Sequence, residues 1–446
     1  MLSNSSSSAQ PLRHEDESSS LLQFKHSFFI NKSASDDPSA YPKVESWKKL
    51  QGKSSDCCSW DGVECDHDTG HVIGLNLSSS FLYGSINSNS SLFNLVHLQR
   101  LNLADNDFNY SQIPPRIGNL LRLTSLDLSN SAFFGQIPLN ISNLSMLVYL
   151  DLSGNVDWNH ESLLKLEKPN LKDLVQNLTN LKVLDLISVN ISSTVTRALS
   201  NMSSLTTLVL QSCQLYGEFP TTIFQLPNLQ TLSMGNNDNL TGNLSEFHLS
   251  SPLKQLDLSV CHFSGMLPVS LGSVTKLTYL DLRSNQFWGQ IPASLGNLSQ
   301  LTVLRLGENN FDAPTLPLTL GKLSNLIELN LTDMKIRGEI PQFLANLTQL
   351  SSLVINSNEL VGQIPSWLMN LTKLTSLELT ENQLHGMIPS AISQLKYLEW
   401  LNLDGNNLSG EVELDIFLKL QNLVVLELSG NKLTVVTKNI ANATLP

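Results

Sequence analysis

Charge, cysteine and long apolar runs are all scarce in this chain of 446 residues. Only 15% of the residues are charged, five are cysteine, and the formal net charge is -12. Nucleic-acid binding needs clustered Lys and Arg to neutralise phosphates, so an acidic chain without such clusters argues against that partner. No stretch approaches the roughly 18–20 consecutive apolar residues that a membrane-spanning helix needs. The sequence therefore excludes a spanning segment of that kind within its own length.

Catalytic and cofactor-binding motifs are also missing from the sequence. It contains no phosphate-binding loop, no Gly-x-Ser-x-Gly and no His-Glu-x-x-His. The nine histidines are scattered over repeat and turn positions rather than spaced as metal ligands. We therefore expect a protein that is not an enzyme and that uses neither a cofactor nor a metal.

What the chain has instead is a phrase repeated about every 24 residues. Leu277-Thr-Tyr-Leu-Asp-Leu-Arg-Ser-Asn285 recurs as Leu301–Asn309 and again as Leu374–Asn382. A fixed period of this size predicts a solenoid, in which each repeat packs only on its neighbours and function is carried by a long surface. We place about fifteen repeats in residues 71–446, with an insert near 156–175.

Each position of the repeat has its own structural task. The alternating Leu-x-Leu predicts a short strand with inward leucines. The Asn that follows three residues later, as at Asn285 and Asn309, is expected to bond backbone groups left open by a turn. Cys213 and Cys261 occupy the same slot, so we interpret them as equivalents of this Asn. Gly-x-Ile-Pro, as in Gly289–Pro292, predicts a second short extended segment.

The complete phrase, Leu-x-x-Leu-x-Leu-x-x-Asn-x-Leu-x-Gly-x-Ile-Pro, resembles the plant extracellular type of leucine-rich repeat. Over residues 14–446 the chain looks like the extracellular region of plant leucine-rich repeat receptor-like proteins, the class that includes disease-resistance receptors. The resemblance implies an α/β leucine-rich repeat solenoid, a curved superhelix with a parallel β-sheet on its concave face. A second short sheet with 3-10 or irregular segments is expected on the convex side, and a helical cap at the N-terminus.

Residues 14–70 are similar to the N-terminal cap of this family. The segment Asp16–Ile30 predicts a short helix that begins at Asp16 or Ser18 and presents an apolar stripe. A solenoid exposes a cross-section of its core at each end, and a cap of this kind covers it. Residues 1–13 form a polar tail without an apolar signal core, and we expect them to be a remnant after a missing signal peptide.

The cysteines of the cap depart from the family at one position. The resemblance implies a disulfide between Cys58 and Cys65. It also implies that Cys57 pairs with a cysteine just before the helix, but Arg13 stands at that place. We therefore expect Cys57 to be unpaired.

Acceptor sequences for N-glycosylation, Asn-x-Ser/Thr, are dense along the whole chain. Part of this density follows from a repeat that spells Asn-Leu-Ser or Asn-Leu-Thr, but it also favours a secreted protein. The candidate acceptors are Asn76, Asn89, Asn109, Asn140, Asn143, Asn177, Asn190, Asn201, Asn297, Asn330, Asn346, Asn370 and Asn407.

Function is expected at the outward positions of the strands, which line up in columns because neighbouring strands lie about 4.8 Å apart. One column is rich in Asp, as at Asp127, Asp151 and Asp185. This acidic column either contacts a basic ligand or follows only from Leu-Asp-Leu-Ser being the favoured sequence of the repeat. Exposed aromatic and Arg residues are frequent interface anchors. The candidate ligand surface that we take from these positions comprises Tyr279, Asp281, Arg283, Arg305, Glu308, Glu328, Glu381 and Trp400.

The insert near 156–175 carries several lysines and offers a second place where function could be located. Loops that protrude from a repeat array are common binding elements, although a tolerated variation in repeat length explains the insert equally well. At the other end, Asn442–Pro446 stops inside a repeat, and we expect the chain to be a truncated product or fragment.

Taken together, the pattern and the resemblance predict the ligand-binding ectodomain of a plant cell-surface receptor-like protein in pathogen recognition and defence signalling. The ligand would be a peptide, a protein or a cell-wall fragment, and the resemblance implies a receptor kinase as signalling partner. The full-length form would lie at the extracellular side of the plasma membrane, held by a segment absent from this chain, and a secreted fragment would lie in the apoplast. A secreted protein of the polygalacturonase-inhibitor type and a developmental peptide-hormone receptor are the alternatives.

Overall fold

The structure is a computed structural model that describes residues 14–48, 56–312 and 316–436. The tail 1–13 with Arg13, and the chain end at Asn442–Pro446, lie outside the described residues. The chain divides into two compact units, Met1–Gln214 and Leu215–Pro446. Both units are stacks of repeats.

The main sheet of the first unit starts with an antiparallel pair, in which Val63–Cys65 lies beside Val72–Asn76. All later pairs are parallel, one strand for each repeat. These later strands are Arg100–Asn102, Ser125–Asp127, Tyr149–Asp151, Val183–Asp185 and Thr207–Val209.

The main sheet of the second unit contains parallel strands throughout. Their register is constant, so that the central leucines of successive strands are partners, as Leu280 and Leu304 are. The strands are Thr231–Ser233, Gln255–Asp257, Tyr279–Asp281, Val303–Arg305, Glu328–Asn330, Ser352–Val354, Ser376–Glu378, Trp400–Asn402 and Val425–Glu427.

The repeat leucines form the core, as their alternation predicts. Leu280, Leu282 and Leu304 are all 0% exposed, and their equivalents in the other described repeats are similarly buried, except in the last, where Leu426 and Leu428 are half-buried. Burying a leucine contributes about 1.5–3 kcal/mol relative to leaving it exposed, and a parallel stack repeats this gain at every turn. Burial of these leucines therefore selects the strand register and the stacking order.

The asparagines predicted to follow the strands, as at Asn285 and Asn309, form a ladder of buried side chains that are hydrogen-bonded to the backbone. The Asn309 side-chain amide donates to the carbonyls of Leu282, Leu306 and Gly307 at 2.8, 3.0 and 3.1 Å, and its oxygen accepts from the Phe287 amide at 3.0 Å. Cys261 occupies the same slot and donates its thiol to two carbonyls at 3.4 Å each. Burial raises the pKa of this thiol to about 12, which keeps it protonated as a donor and unreactive.

The second half of each repeat forms the short extended segment and then a 3-10 turn. Gly289 has a φ of +78°, a conformation in which a side chain would be strained. Pro292 precedes the 3-10 segment Ala293–Asn297 and supplies a fixed φ without needing a donor. The segments of this second unit are Thr221–Gln225, Val269–Ser273, Ala293–Asn297, Leu318–Lys322, Gln342–Asn346, Ser366–Asn370, Ser390–Gln394 and Leu414–Lys419.

The short strands pair with each other in small parallel sheets beside the main one. In the second unit they are Tyr216–Glu218, Asn239–Gly242, His262–Gly265, Gln286–Gly289 and Asn310–Phe311, then Arg337–Gly338 with Glu359–Leu360, then His385–Gly386, Asn407–Glu413 and Lys432–Val436. In the first unit Gly135–Gln136 pairs with Leu164–Lys165. The predicted second layer of the solenoid is therefore confirmed. The corresponding 3-10 segments of the first unit are Ser91–Asn94, Pro115–Asn119, Leu139–Asn143 and Arg197–Asn201.

The N-terminal cap contains a shorter helix than we predict. The helix spans His14–Lys25, so neither Asp16 nor Ser18 lies at its start, and Phe28–Ile30 forms a strand instead. That strand pairs antiparallel with Leu82–Gly84, a partner about 50 residues away that no local pattern reveals. The expected apolar stripe includes Leu21, Phe24 and Phe29. It is wrong at its end, because Phe29 is 76% exposed while Leu21 and Phe24 are buried.

Below the helix, the cap is closed by a disulfide and two indole rings. Cys58 and Cys65 form the disulfide that the resemblance implies. Trp47 and Trp60 stack with ring centroids 5.6 Å apart. Cys57 is buried and has no disulfide partner, and burial raises the pKa of its thiol. The described part of the cap contains 3-10 turns at Lys32–Ala34, Lys43–Ser46 and Cys57–Ser59.

The insert is more regular than a loop. It contains the short strand Leu164–Lys165 and a short helix, Leu171–Val175, which begins with reciprocal bonds between Asn170 and Asp173. Only the part around Trp158, which is 84% exposed, remains a protruding loop. Among the described residues, no helix has the length and apolar composition to cross a membrane.

Candidate ligand-binding surface

Five of the eight predicted surface residues meet on three neighbouring strands of the second unit, or, for Arg283, just after one of them. We call Tyr279, Asp281, Arg283, Arg305 and Glu328 the arginine cluster. The guanidinium of Arg305 makes two parallel bonds to Glu328, at 2.6 and 2.8 Å, and a third to Asp281 at 3.1 Å. It also donates to the Tyr279 hydroxyl at 3.0 Å, and its carbon lies 5.6 Å from the centre of that ring. Residues of the chain itself therefore occupy most of the hydrogen-bond donors of the Arg305 guanidinium.

Asp281 lies beneath this cluster rather than on its surface. It is only 1% exposed, so it cannot act as the outward contact that its strand position predicts. Burial raises the pKa of its carboxyl group, while Arg283 and Arg305 oppose that shift. The hydrogen bonds that Arg305 donates to Glu328 and Asp281 raise its pKa further above its ordinary value. Burial also raises the pKa of Tyr279, to about 12, so the hydroxyl remains a neutral donor and acceptor.

Glu308 and Glu381 lie in turns, apart from the arginine cluster. Both have a positive φ, +57° and +52°, and each lies three residues after the end of a main-sheet strand. Their carboxylates accept from serine hydroxyls of the preceding repeat, Ser284 for Glu308 and Ser357 for Glu381. The structure therefore does not gather these two residues with the five others.

Trp400 lines a separate depression of about 450 Å³ on the same sheet. Thr375, Ser376, Glu378, Glu399 and Val424 form the rest of its wall. The indole is 44% exposed and Val424 is 82% exposed. Neither glutamate is among the eight residues that we predict from sequence. The adjacency of an acidic residue and Trp at 399–400 is the signal that could have revealed one of them.

The acidic column predicted from the sequence is present in the first unit. Asp127, Asp151 and Asp185 are partners in register on three successive strands. Burial, together with the charges of Asp151 and Asp127, raises the pKa of Asp185 to about 6. The Tyr149 hydroxyl donates to Asp151 at 3.0 Å. No basic residue stands in register beside Asp185, whose next partner is Val209.

The glycosylation candidates occupy positions that are exposed or half-buried in every case. Asn143, Asn201, Asn297, Asn346 and Asn370 each end a 3-10 segment. Two others are on main-sheet strands, Asn76 and Asn330.

Metal ligands are sparse in the described ranges. Cys57, Cys58 and Cys65 have sulfur atoms within 4.8 Å of one another. Because two of these sulfurs are joined in the disulfide, the three do not form a set of thiolate ligands.

Two kinds of evidence now identify the class of protein. The sequence model of the "Leucine-rich repeat region" family matches residues 75–284 and 234–384, and that of the "Leucine rich repeat N-terminal domain" matches residues 14–66. The stacked parallel strands and the bonded asparagine ladder are what these matches require. The chain belongs to the leucine-rich repeat family.

Its curated relatives are plant receptor-like proteins. It is 39% identical to Receptor-like protein 6 of Arabidopsis thaliana over 274 residues, which is 59% of this chain and 27% of that protein. It is 40% identical to Receptor-like protein Cf-9 of Solanum pimpinellifolium over 284 residues, 61% of this chain and 31% of that protein. The matches thus span about a third or less of these relatives. They confirm the resemblance to plant receptor-like proteins.

Solved structures agree with the fold. A crystal structure of a TDR receptor superposes with a TM-score of 0.65 at 27% identity, covering 79% of this chain and 63% of that one. A leucine-rich repeat protein of Leptospira interrogans gives a TM-score of 0.57 at 27% identity, covering 81% and 85%.

Proposed function

We propose that this chain is the ligand-binding part of a plant cell-surface receptor, in which the main-sheet strands of the second unit contact the ligand. The observation that carries this proposal is the concentration of distinctive charged and aromatic side chains on one row of strands. In the described main-sheet strands of this unit, the aromatic and arginine residues are Tyr279, Arg305 and Trp400, and all three belong to the arginine cluster or the Trp400 depression. Aromatic residues and arginine are the side chains that most often anchor interfaces.

The ligand in this proposal is an extracellular peptide, protein or wall fragment derived from a pathogen. The similarity to Cf-9 and to the Arabidopsis receptor-like proteins supports this assignment. Signalling would pass through a receptor kinase that associates with the receptor at the plasma membrane. The numerous accessible acceptor asparagines support an extracellular location.

A response assay in leaves tests this function. The chain is expressed with a secretion signal at its N-terminus and a membrane anchor at its C-terminus, and fractionated culture filtrates of leaf pathogens are applied. We expect at least one fraction to raise an extracellular oxidant burst only in leaves that express the chain. A chain that reaches the cell surface, responds to no fraction and inhibits fungal polygalacturonase would contradict the proposal and support an inhibitor.

Two double variants test whether the main sheet of the second unit contacts the ligand. Arg283→Ser with Trp400→Thr alters the sheet face, and both side chains are at least 40% exposed, so the fold is expected to persist. The matched control is Lys322→Ser with Leu318→Thr, which changes a cation and a large apolar side chain on the 3-10 segment Leu318–Lys322. We expect the sheet-face double variant to abolish the response and the control double variant to preserve it.

A further inference from the structure

The Trp400 depression and the arginine cluster share a set of chemical groups. Each contains an aromatic residue at the first position of its strand, Tyr279 in one and Trp400 in the other. Each also contains two carboxylates, which are Asp281 with Glu328 in the arginine cluster and Glu378 with Glu399 in the depression. The difference between them is the cation.

Arg305 fills the arginine cluster because it stands in register beside Asp281. The residue in the same register beside Glu378 is Asn402, a neutral side chain whose oxygen accepts from the Asp404 amide at 3.1 Å. In the described part of the chain, neither Glu378 nor Glu399 has an ion-pair partner. Glu378 instead accepts from Asn356 and Ser376, at 3.0 and 3.1 Å.

We propose that the Trp400 depression is a subsite for one cationic side chain, Arg or Lys, of a peptide or protein ligand. A volume of about 450 Å³ accommodates one long side chain. The face of an indole attracts a cation more strongly than any other aromatic ring, and the two carboxylates supply the charge. The arginine cluster shows, within the same sheet, that this combination of groups holds a guanidinium.

This inference rests on the proposed function, because it assigns the chemistry of one part of the ligand. Glu378 is half-buried between two hydrogen-bond donors, so its orientation is fixed before the ligand arrives. Glu399 and Trp400 are exposed at the rim. A guanidinium suits this arrangement best, since its plane can stack on the indole while its edge donates to a carboxylate.

The test is a titration followed by fluorine NMR. The protein is labelled with 5-fluorotryptophan, and the resonance of Trp400 is identified by its loss in Trp400→Phe. The probes are acetyl-Gly-Arg-Gly-amide, the same peptide with Lys, and the same peptide with citrulline, which is neutral but similar in shape to arginine. We expect the Trp400 resonance to shift saturably with the Arg or Lys peptide and not with citrulline.

Two variants examine the carboxylates. Glu378→Gln combined with Glu399→Gln should weaken binding of the cationic peptide about tenfold or more, because two charge-assisted contacts are lost. Glu339→Gln, which removes an exposed carboxylate outside the depression, is the matched control and should leave binding unchanged. No shift with either cationic peptide, or an equal shift with citrulline, would overturn the proposal.

The two proposals fail in different ways. If the cationic peptides bind but no pathogen fraction elicits a response, the subsite stands and the receptor function does not. If a fraction elicits a response that the Glu378→Gln and Glu399→Gln variant fully preserves, the receptor function stands and the subsite is not used by the ligand.

Discussion

Individual polar residues decide how the repeat turns, and the asparagine ladder is the main example. Asn309 bonds three carbonyls and one amide that would otherwise be buried without partners. An unsatisfied buried polar group costs about 1–3 kcal/mol. The Asn position is readable from sequence because most repeats place an Asn in this slot to make the same bonds.

Asn309→Ala should therefore destabilise the second unit by about 2–3 kcal/mol, since several backbone groups lose their partner together. Asn309→Cys is the matched control, because Cys261 already donates to two carbonyls from this slot. We expect the cysteine variant to lose clearly less stability than the alanine variant. Urea unfolding followed by circular dichroism measures both, and equal losses would show that the ladder bonds contribute little.

The acidic column makes a prediction with a defined pH dependence. The pKa of Asp185 is raised to about 6 in the folded chain, above its ordinary value of about 3.9. A raised carboxyl pKa means that ionisation opposes folding, so stability rises as the pH falls from above 6 towards 4. Burial is the main cause of the raised pKa, and the charges of Asp151 and Asp127 in the same column add to it.

Asp185→Asn should thus stabilise the first unit at pH 7.5, by about 1–2 kcal/mol after screening by solvent, and should have little effect near pH 4. The substituted amide oxygen can still accept from the Ile187 amide, as the carboxylate does at 3.0 Å. Thermal unfolding at the two pH values provides the measurement. Equal melting temperatures for the two proteins at pH 7.5 would contradict it.

At the scale of elements, the N-terminal helix is joined to the first repeats by a stacked pair of imidazoles. Glu17 on the helix accepts from the Val72 amide at 3.0 Å and lies 3.3 Å from His71. The ring of His71 stacks on that of His97, with centroids 3.7 Å apart. Arg122 lies 3.0 Å from the Nδ1 atom of His97, so it donates to a neutral imidazole.

Acidification should loosen this connection. Burial and the neighbouring His71 and Arg122 lower the pKa of His97, against a smaller opposing effect of Glu17. A lowered imidazole pKa means that the contribution to stability is complete above the ordinary value of about 6.5 and is lost as the pH falls from there through the lower pKa of the folded state. We expect the amides of the helix His14–Lys25 to lose exchange protection at pH 5 relative to pH 7.5. His97→Gln should reduce this loss, and an identical loss in that variant would assign it to other groups.

The same scale shows what sequence reasoning can and cannot provide. The strands, the turns and the second short segments follow from local patterns of Leu, Asn and Gly, since each repeat uses the same contacts. The end of the cap helix does not, because Phe28–Ile30 pairs with Leu82–Gly84, which is distant in sequence. The strand column likewise predicts which way Asp281 points but not its burial, which depends on the side chains of neighbouring strands.

At the scale of the whole molecule, a regular repeat scaffold carries a few distinctive side chains, which are those of the arginine cluster and the Trp400 depression on the main sheet of the second unit. Matches to the curated relatives span 27–31% of the first of these proteins, so the chain represents part of what those receptors contain. Within it, the arginine cluster is largely satisfied by its own bonds. The Trp400 depression has an exposed indole and two carboxylates that form no ion pair with the described residues, and we therefore expect it to contribute more to ligand affinity than the arginine cluster does.

The most direct test of this account is the affinity of the chain for an eliciting fraction, measured by biolayer interferometry. The immobilised proteins are the unchanged chain, the variant with Arg283→Ser and Trp400→Thr, and the control with Lys322→Ser and Leu318→Thr. We predict that the sheet-face variant binds at least about tenfold more weakly, a loss of roughly 1.4 kcal/mol, while the control keeps the original affinity. Equal binding by the sheet-face variant, or a loss confined to the control, would contradict the central claim that the main sheet contacts the ligand.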